Sequence, residues 1–216
     1  MVMNSSPMEE FSKALELDAA AFGVEITPDA LDRLTIYYRL LDTWNARLHL
    51  VAPCSPVEFA RRHILESLML VPHLPDAARV ADIGSGAGLP IIPCLIVRSD
   101  IKATLIESSK KKTVFLREAL TLTGRSESAN LIAERFERMK APDVDFISCR
   151  ALDRLVEKLP RLIEWAPSQS TLLLFGGIEL RKEMQSADLS FTQIKIPKSE
   201  RRFLFVCRAN SIPSHA

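Results

Sequence analysis

Cysteine and histidine are scarce in this chain and are not clustered. The four cysteines include no C-x-x-C pair, and the four histidines are scattered along the 216 residues. This distribution predicts no metal site, and it favours reduced, buried thiols over disulfides. The sequence also lacks a signal-peptide pattern at its N-terminus and any apolar run near the roughly 18 residues of a membrane span. We therefore expect a cytoplasmic protein with no membrane partner.

Net charge is nearly absent as well. The chain has 28 lysines and arginines against 27 aspartates and glutamates, which gives a formal charge of +1. A protein that coats nucleic acid through bulk charge is therefore disfavoured, whereas a local basic patch is not. Hydrophobic residues make up 47% of the chain, enough for a sizeable core. The length suits one domain, or one domain with an N-terminal extension.

Helix signals dominate the first part of the chain. Proline follows a serine or threonine cap at three places, Ser6-Pro7, Thr27-Pro28 and Ser55-Pro56. The third of these caps also has the capping-box spacing with Glu58. Apolar residues at helical spacing predict helices that end before Gly23, near Asn45 and near Leu70. We predict a helical extension over residues 1–75 that packs on a core of residues 76–216, the two forming one compact unit.

Short apolar runs alternate with amphipathic segments in the rest of the chain. The predicted strands are Arg79–Ile83, Ala103–Ile106, Asn130–Ala133, Val144–Ser148, Leu172–Phe175, Phe191–Ile196 and Phe203–Cys207. The predicted helices are Pro90–Val97, Lys110–Thr123, Asp153–Trp165 and Glu179–Ala187. This alternation implies an α/β fold, with a parallel sheet covered by helices on both faces. The last two strands predict a hairpin that adds an antiparallel edge.

The sequence V-A-D-I-G-S-G-A-G-L-P at residues 80–90 has the order of a strand, a tight glycine turn and a helix. Its spacing is G-x-G-x-G, not the G-x-G-x-x-G of the dinucleotide fingerprint, and Asp82 precedes the glycines. Glu107 follows the next apolar run, 19 residues beyond Gly88 and near the roughly 20 expected for a ribose-binding acid. Together they resemble the cofactor site of S-adenosylmethionine-dependent methyltransferases with the Rossmann-like, seven-stranded fold. The alternative is an ordinary strand–loop–helix turn.

Several further segments resemble one family, the bacterial 16S ribosomal RNA guanine-N7 methyltransferases, also called the glucose-inhibited division protein B family. They run in family order between Tyr38 and Gly177. They are W-N at 44–45, R-H-I-L-E-S-L at 62–68, A-D-I-G-S-G-A-G-L-P at 81–90, E-S-S-K-K-K at 107–112 with F-L at 115–116, R-F-E at 135–137 and S-C-R-A at 148–151. Two positions depart from the family pattern. His49 stands where asparagine is usual, and Phe175-Gly176-Gly177 stands where a lysine usually precedes glycine.

The resemblance implies a pocket for S-adenosylmethionine, without a metal ion. Its residues would be Asp82, Gly84, Gly86, Gly88, Leu89, Glu107, Phe136, Glu137 and Arg150. Asp82 would steady the loop amides or meet the methionine amino group, and Glu107 would take the ribose hydroxyls. Phe136 and Glu137 would hold the adenine, with plain core packing an equal alternative for Phe136. Arg150 would pair with the cofactor carboxylate, an RNA phosphate or a nearby acid, the last being a structural ion pair.

The same resemblance implies 16S ribosomal RNA, in the small ribosomal subunit, as the substrate and partner. The candidate RNA contacts are Arg62, His63, Lys111, Lys112, Arg201 and Arg202. A solvated helix face or a charged turn is the alternative for each of them. Guanine N7 carries a free lone pair, so we expect that no general base is needed. We also expect the protein to be a monomer.

Other function classes share part of this pattern. A methyltransferase acting on a small molecule or a protein would have the same glycine loop, and activity without RNA would identify it. A non-catalytic protein that binds RNA or ribosomes would lack cofactor binding, and the intact glycine loop with its two acids argues against it. A nicotinamide dehydrogenase is disfavoured by the glycine spacing.

Overall fold

Seven strands build one sheet in the computed structural model, and their bounds are β1 Arg79–Ile83, β2 Lys102–Ile106, β3 Ala129–Ile132, β4 Phe146–Cys149, β5 Thr171–Gly176, β6 Phe191–Lys195 and β7 Phe203–Arg208. The structure describes residues 6–150 and 155–209. The strand order is β3-β2-β1-β4-β5-β7-β6. The first five strands are parallel, and β7 pairs antiparallel with both β5 and β6. The predicted α/β class and the antiparallel terminal hairpin are confirmed.

Eight α-helical segments lie within the described ranges. They are α1 Pro7–Asp18, α2 Pro28–Leu48, α3 Pro56–Phe59, α4 Glu66–Leu68, α5 Ile91–Val97, α6 Lys110–Leu122, α7 Leu155–Trp165 and α8 Ile178–Ser186. Within the α/β part, the predicted bounds that fall in these ranges differ from the observed ones by at most two residues. The predicted helix start at Asp153, and Ala151 of the S-C-R-A segment, lie outside the described residues.

The three predicted helix caps are present in the N-terminal part. The hydroxyl oxygens of Ser6, Thr27 and Ser55 each accept the backbone N–H of the residue three positions later, at a distance of 3.2 Å. Ser6 also has the reciprocal capping-box bond, from its own N–H to the Glu9 carboxylate at 2.7 Å. For Ser55 the predicted capping box is half formed, because Glu58 forms an ion pair with Arg62 at 2.5 Å instead of reaching back.

The predicted third helix, Ser55 to about Leu70, is wrong as one regular helix. A π-helical segment, Ala60–Leu65, separates α3 from α4, and Val71–His73 forms a short 3-10 turn. A π-helical turn frees backbone carbonyls from the α-helical ladder. Here the Arg150 guanidinium donates hydrogen bonds to two carbonyls of the segment, that of Arg62 at 2.5 Å and that of His63 at 3.3 Å. Helical periodicity cannot report this departure, since its cause lies nearly 90 residues away.

Alternate residues of the strands pack into two apolar clusters, one on each face of the sheet. On one face Val80 and Leu105 join a cluster that includes α5, α6 and the N-terminal helices. On the other face Ile83 and Leu174 join a cluster that includes α7 and α8. The first cluster contains buried residues from both sides of residue 75, and the division of the chain at that residue stays a prediction.

Tyr37 connects α2 to the glycine turn after β1. The ring is fully buried, and its hydroxyl donates to the Ala87 carbonyl at 2.6 Å. Ala87 itself is 5% exposed, so water cannot readily replace this bond. A buried carbonyl without a donor is costly, and the N-terminal helices therefore help to fix the shape of the glycine turn.

We expect Tyr37→Phe to lower the free energy of unfolding by about 1–3 kcal/mol, because the Ala87 carbonyl is left buried without its donor. Urea unfolding at equilibrium measures this change. Tyr38→Phe is the matched control, since it removes the same hydroxyl from the neighbouring tyrosine, whose ring stacks on Phe11 at 4.4 Å. Equal losses in the two variants would contradict the proposed link between α2 and the turn.

Candidate functional site

A cavity of about 500 Å³ opens at the carboxyl ends of the parallel strands. The strand order reverses at β1, which has β2 on one side and β4 on the other. Ligands of open α/β sheets bind outside the carboxyl ends at such a reversal. The cavity wall contains the glycine turn, the π-helical segment, the start of α6, the end of β5 and the turn before β7.

The glycine turn is hydrogen-bonded to the end of β2 and to Glu107. The Ile106 carbonyl accepts the N–H groups of Gly84 at 2.9 Å and Ser85 at 3.2 Å. One Glu107 oxygen accepts the Gly86 N–H at 2.9 Å, and the other accepts the Ser109 N–H at 2.7 Å. Glu107 therefore ties the turn to the N-terminus of α6, with its side chain at the end of β2 where the spacing predicted it.

Gly84, Gly86 and Leu89 line the cavity, whereas Gly88 faces α5. Gly88 has a φ of +81°, and a Cβ there would lie 2.4 Å from the Ile92 side chain. This position accordingly requires glycine for two reasons, its left-handed backbone and the close approach of α5.

Asp82 lies behind the turn and is 1% exposed. One carboxylate oxygen accepts the Ser148 hydroxyl at 2.6 Å, and the other has no hydrogen-bond partner among the described residues. Burial raises the pKa of Asp82 to about 6, although the Ser148 hydrogen bond opposes this. The expectation that Asp82 bonds the loop amides is wrong. The Ser85 hydroxyl steadies the turn instead, by donating to the Asp82 main-chain carbonyl at 3.0 Å.

Arg150 follows β4 and forms the junction between the sheet and the π-helical segment. Besides the two carbonyls described above, it donates to the Ser67 hydroxyl at 3.1 Å. It also forms an ion pair with Glu66 at 3.4 Å, and its guanidinium carbon lies 5.7 Å from the centre of the Phe175 ring. The structural ion pair that the sequence left open is thus present. Arg150 still lines the cavity, so its contact with a ligand stays a prediction.

Glu66 was not among the sequence-predicted site residues. Its side chain is 3% exposed and pairs with Arg150 and, at 2.5 Å, with Arg202 from the β6–β7 turn. Burial raises the pKa of Glu66, while the neighbouring arginines oppose that shift. An acid one helical turn after the R-H pair was the available signal, because a buried arginine needs a counter-charge.

His63 is partly buried on the cavity wall, so the solvated helix face considered for it is wrong. Its ring centre lies 4.9 Å from that of Phe59, and Nδ1 lies 3.4 Å from a terminal nitrogen of Arg150. Burial, reinforced by Arg150, lowers the pKa of His63 to about 3. The imidazole is therefore neutral at pH 7 and acts through hydrogen bonds and packing, not as a cation.

The remaining predicted residues separate into two groups. Arg62, Lys112 and Arg202 line the cavity, whereas Lys111 and Arg201 are exposed and lie outside its lining. Phe136 is 3% exposed and packs edge-on against Trp165 at 5.5 Å, which is the core packing considered for it. Glu137 forms an ion pair with Lys158 at 3.9 Å. Neither Phe136 nor Glu137 lines the cavity, and their adenine contacts stay predictions.

The end of β5 also contributes to the wall, through Phe175, Gly176 and Gly177. A Cβ on Gly176 would lie 2.4 Å from the Leu180 side chain of α8. A side chain at position 176 would therefore require Leu180 to shift. The departure noted in the sequence is accommodated by close packing of Leu180 on the strand end.

Neither a group of side chains that could hold a metal ion nor a helix that could cross a bilayer occurs in the part of the chain that the structure describes. No three His, Cys, Asp or Glu side chains are grouped so that they could hold a metal ion. No described helix combines the length and the apolar character that crossing a bilayer requires.

Solved structures of other proteins share this fold. The ribosomal protein L11 methylase of Lactobacillus delbrueckii subsp. bulgaricus superposes with a TM-score of 0.56 at 13% identity, covering 68% of this chain and 78% of that one. P. horikoshii TYW2, in complex with MeSAdo, gives a TM-score of 0.55 at 14% identity, covering 69% and 63%. At this identity they show the fold alone, and they confirm the Rossmann-like methyltransferase architecture.

Sequence relatives are closer. A protein of Sorangium cellulosum is 34% identical over 189 residues, which cover 84% of this chain and 77% of that protein. A protein of Syntrophus aciditrophicus is 31% identical over 192 residues, covering 86% and 79%. Both carry the name ribosomal RNA small subunit methyltransferase G. The profile of the GidB family, described as rRNA small subunit methyltransferase G, matches residues 30–207. The chain therefore belongs to the GidB family of small-subunit rRNA methyltransferases, as the motifs predicted.

Proposed function

We propose that this protein transfers the methyl group of S-adenosylmethionine to N7 of a guanine in 16S ribosomal RNA of the small ribosomal subunit. The observation that carries the proposal is that one cavity is lined both by the glycine turn and by the R-H-I-L-E-S-L segment. The first has the sequence of a cofactor loop, and the second supplies Arg62 and His63. Family membership supports the same reaction. The proposal needs neither a metal ion nor a second copy of the chain.

The residues present fit S-adenosylmethionine. Glu107 already accepts two backbone N–H groups, and each of its oxygens has a further lone pair for a ribose hydroxyl. The second oxygen of Asp82 has no hydrogen-bond partner among the described residues, although Asp82 lies behind the turn and outside the cavity lining. Gly84 and Gly86 have no side chain to hinder close approach of a ligand to the backbone. When bound, the cofactor supplies a sulfonium methyl group.

The chain's own contribution to the reaction is placement. Guanine N7 needs no deprotonation before it attacks, so a general base is unnecessary. Orientation of two reactants can contribute several kcal/mol, with about 7–11 as the upper range. We assign RNA binding to Arg62, Lys112 and Arg202, which line the cavity. Neutral His63 adds hydrogen-bonding capacity to the same wall.

The first test is transfer of labelled methyl from S-adenosylmethionine to small ribosomal subunits purified from a strain that lacks this protein. Deproteinised RNA from the same subunits runs beside them. We expect label at a guanine N7. We also expect Lys112→Ala to reduce transfer about tenfold or more, since a charged contact contributes ~1.5–3 kcal/mol.

Lys111→Ala is the matched control for this test, because it removes the same charge from the adjacent residue of α6 outside the cavity. Equal activities of the two variants would remove Lys112 from the site. Label in neither subunits nor RNA, with cofactor binding intact, would overturn the ribosomal substrate. A methyltransferase of a small molecule or a protein would then remain.

A second prediction concerns the cofactor alone. Glu107→Gln should weaken S-adenosylmethionine binding about 10- to 100-fold, because the amide lacks the charge that strengthens hydrogen bonds to the ribose hydroxyls. The NH₂ group of the glutamine would also face the backbone N–H of Gly86 or Ser109, so that two hydrogen-bond donors would oppose each other. Titration calorimetry measures the affinity. Glu127→Gln is the control, since Glu127 lies just before β3, at the amino ends of the parallel strands. Equal affinities of the two variants for S-adenosylmethionine would contradict the role of Glu107 in cofactor binding.

A further inference from the structure

A second groove, of about 280 Å³, lies beside the main cavity. It runs between the helical extension and the β6–β7 turn, and we call it the hairpin groove. Its polar lining residues are Ser55, Glu58, Arg61, Arg62, Glu66, Lys198 and Arg202. Three of these, Arg62, Glu66 and Arg202, also line the main cavity. The two spaces are therefore adjacent and share one wall.

Asp18, the last residue of α1, organises the positive side of the hairpin groove. Its side chain is only 10% exposed and forms ion pairs with Arg61 and with Lys198. Burial raises the pKa of Asp18, but hydrogen bonds from Lys198 and Arg61 outweigh it and hold the pKa below its ordinary value. The carboxylate is thus charged at neutral pH and fixes one cation from each side of the groove.

Lys198 is held in an unusual backbone conformation. Its φ is +56°, in the left-handed region that residues other than glycine seldom adopt. Such strain is retained where the surroundings impose it, often at binding sites. Here the contact with Asp18 accounts for the placement of the ammonium group at the groove.

The two cations retain donors for a ligand. The side chains of Arg61 and Lys198 are 42% and 46% exposed. Arg61 uses its Nε for Asp18, and neither of its terminal nitrogens has a hydrogen bond within residues 6–150 and 155–209. Positive side chains around the groove outnumber the carboxylates of Asp18, Glu58 and Glu66, and Glu66 also serves Arg150. The groove therefore carries a net positive charge.

We propose that the hairpin groove binds a backbone phosphate of the RNA strand that enters the main cavity. This inference rests on the proposed function. Arg61 and Lys198 contact the phosphate, and Asp18 is a positioning residue that holds both cations ready. A strand whose target base lies in the main cavity can pass over the shared wall of Arg62 and Arg202. Asp18 lies in α1, N-terminal to residues 30–207, which match the family profile.

The test measures binding of the full-length protein to small ribosomal subunits, and to deproteinised 16S ribosomal RNA, over a range of salt concentrations. Each lost phosphate contact lowers the slope of log affinity against log salt by about 0.7–0.9. We expect this reduction for Arg61→Gln and Lys198→Gln, with affinity about fivefold lower or more at moderate salt. Each variant leaves Asp18 one partner, so the fold should be kept. Affinity for S-adenosylmethionine should not change.

The controls distinguish the loss of a positive charge at the hairpin groove from the loss of a positive charge elsewhere on the protein. Lys182→Gln removes a lysine from α8 that pairs with Glu179 and lies outside both cavities. Its salt slope should match that of the wild type. Lys198→Arg keeps the charge and should therefore keep the salt slope of the wild type.

The two proposals fail in different ways. If the wild type methylates 16S ribosomal RNA but Arg61→Gln and Lys198→Gln keep its salt slope, the groove proposal is overturned and the function stands. If the slopes fall as expected but no methyl reaches the RNA, the groove binds RNA and the proposed reaction is wrong. A loss of slope that Lys182→Gln shares would also overturn the groove proposal.

Discussion

The buried guanidinium of Arg150 is the contact on which the geometry of the site depends. It extends from the end of β4 and contacts two main-chain carbonyls of the π-helical segment and the side chains of Glu66 and Ser67 in α4. In a regular α-helix those carbonyls would be used within the helix. In this structure both carbonyls accept the Arg150 guanidinium at the π-helical segment. Removing one member of a buried pair typically costs ~3–5 kcal/mol, so this junction is strongly constrained.

Several other features follow from that junction. Glu66 is drawn into the interior, where it can neutralise both Arg150 and Arg202 and so attach the β6–β7 turn to the same wall. His63 lies on the cavity wall beside these cations, where burial, reinforced by the arginines, lowers its pKa. Tyr37 adds an independent link from α2 to the glycine turn. The cavity is consequently built by the helical extension and the sheet together, although the motifs for cofactor and substrate are separate in the sequence.

The sequence predicted what depends on local pattern and missed what depends on distant contacts. Strand and helix positions followed from periodicity and caps, and the site of Glu107 followed from its spacing to the glycines. The break in the third helix was not predictable, because its cause is Arg150 after β4. Glu66 had a local signal, its spacing from the R-H pair, but its partners Arg150 and Arg202 are distant in the chain, so its burial was not predictable. Lys111 and Lys112 look alike in sequence, and only their angular positions on α6 separate them.

Ion pairs also reduce the positive charge that the cavity wall presents to a cationic cofactor or product. The sulfonium of S-adenosylmethionine and an N7-methylated guanine are both cations, so an unpaired positive wall would repel each of them. In this structure Arg150 and Arg202 share Glu66, and Arg62 pairs with Glu58. Arg62 and Arg202 are nevertheless 50% and 31% exposed, so they can still meet phosphates outside the cavity. A chain with a net charge of +1 can thus attract an RNA backbone locally, through the exposed parts of Arg62 and Arg202.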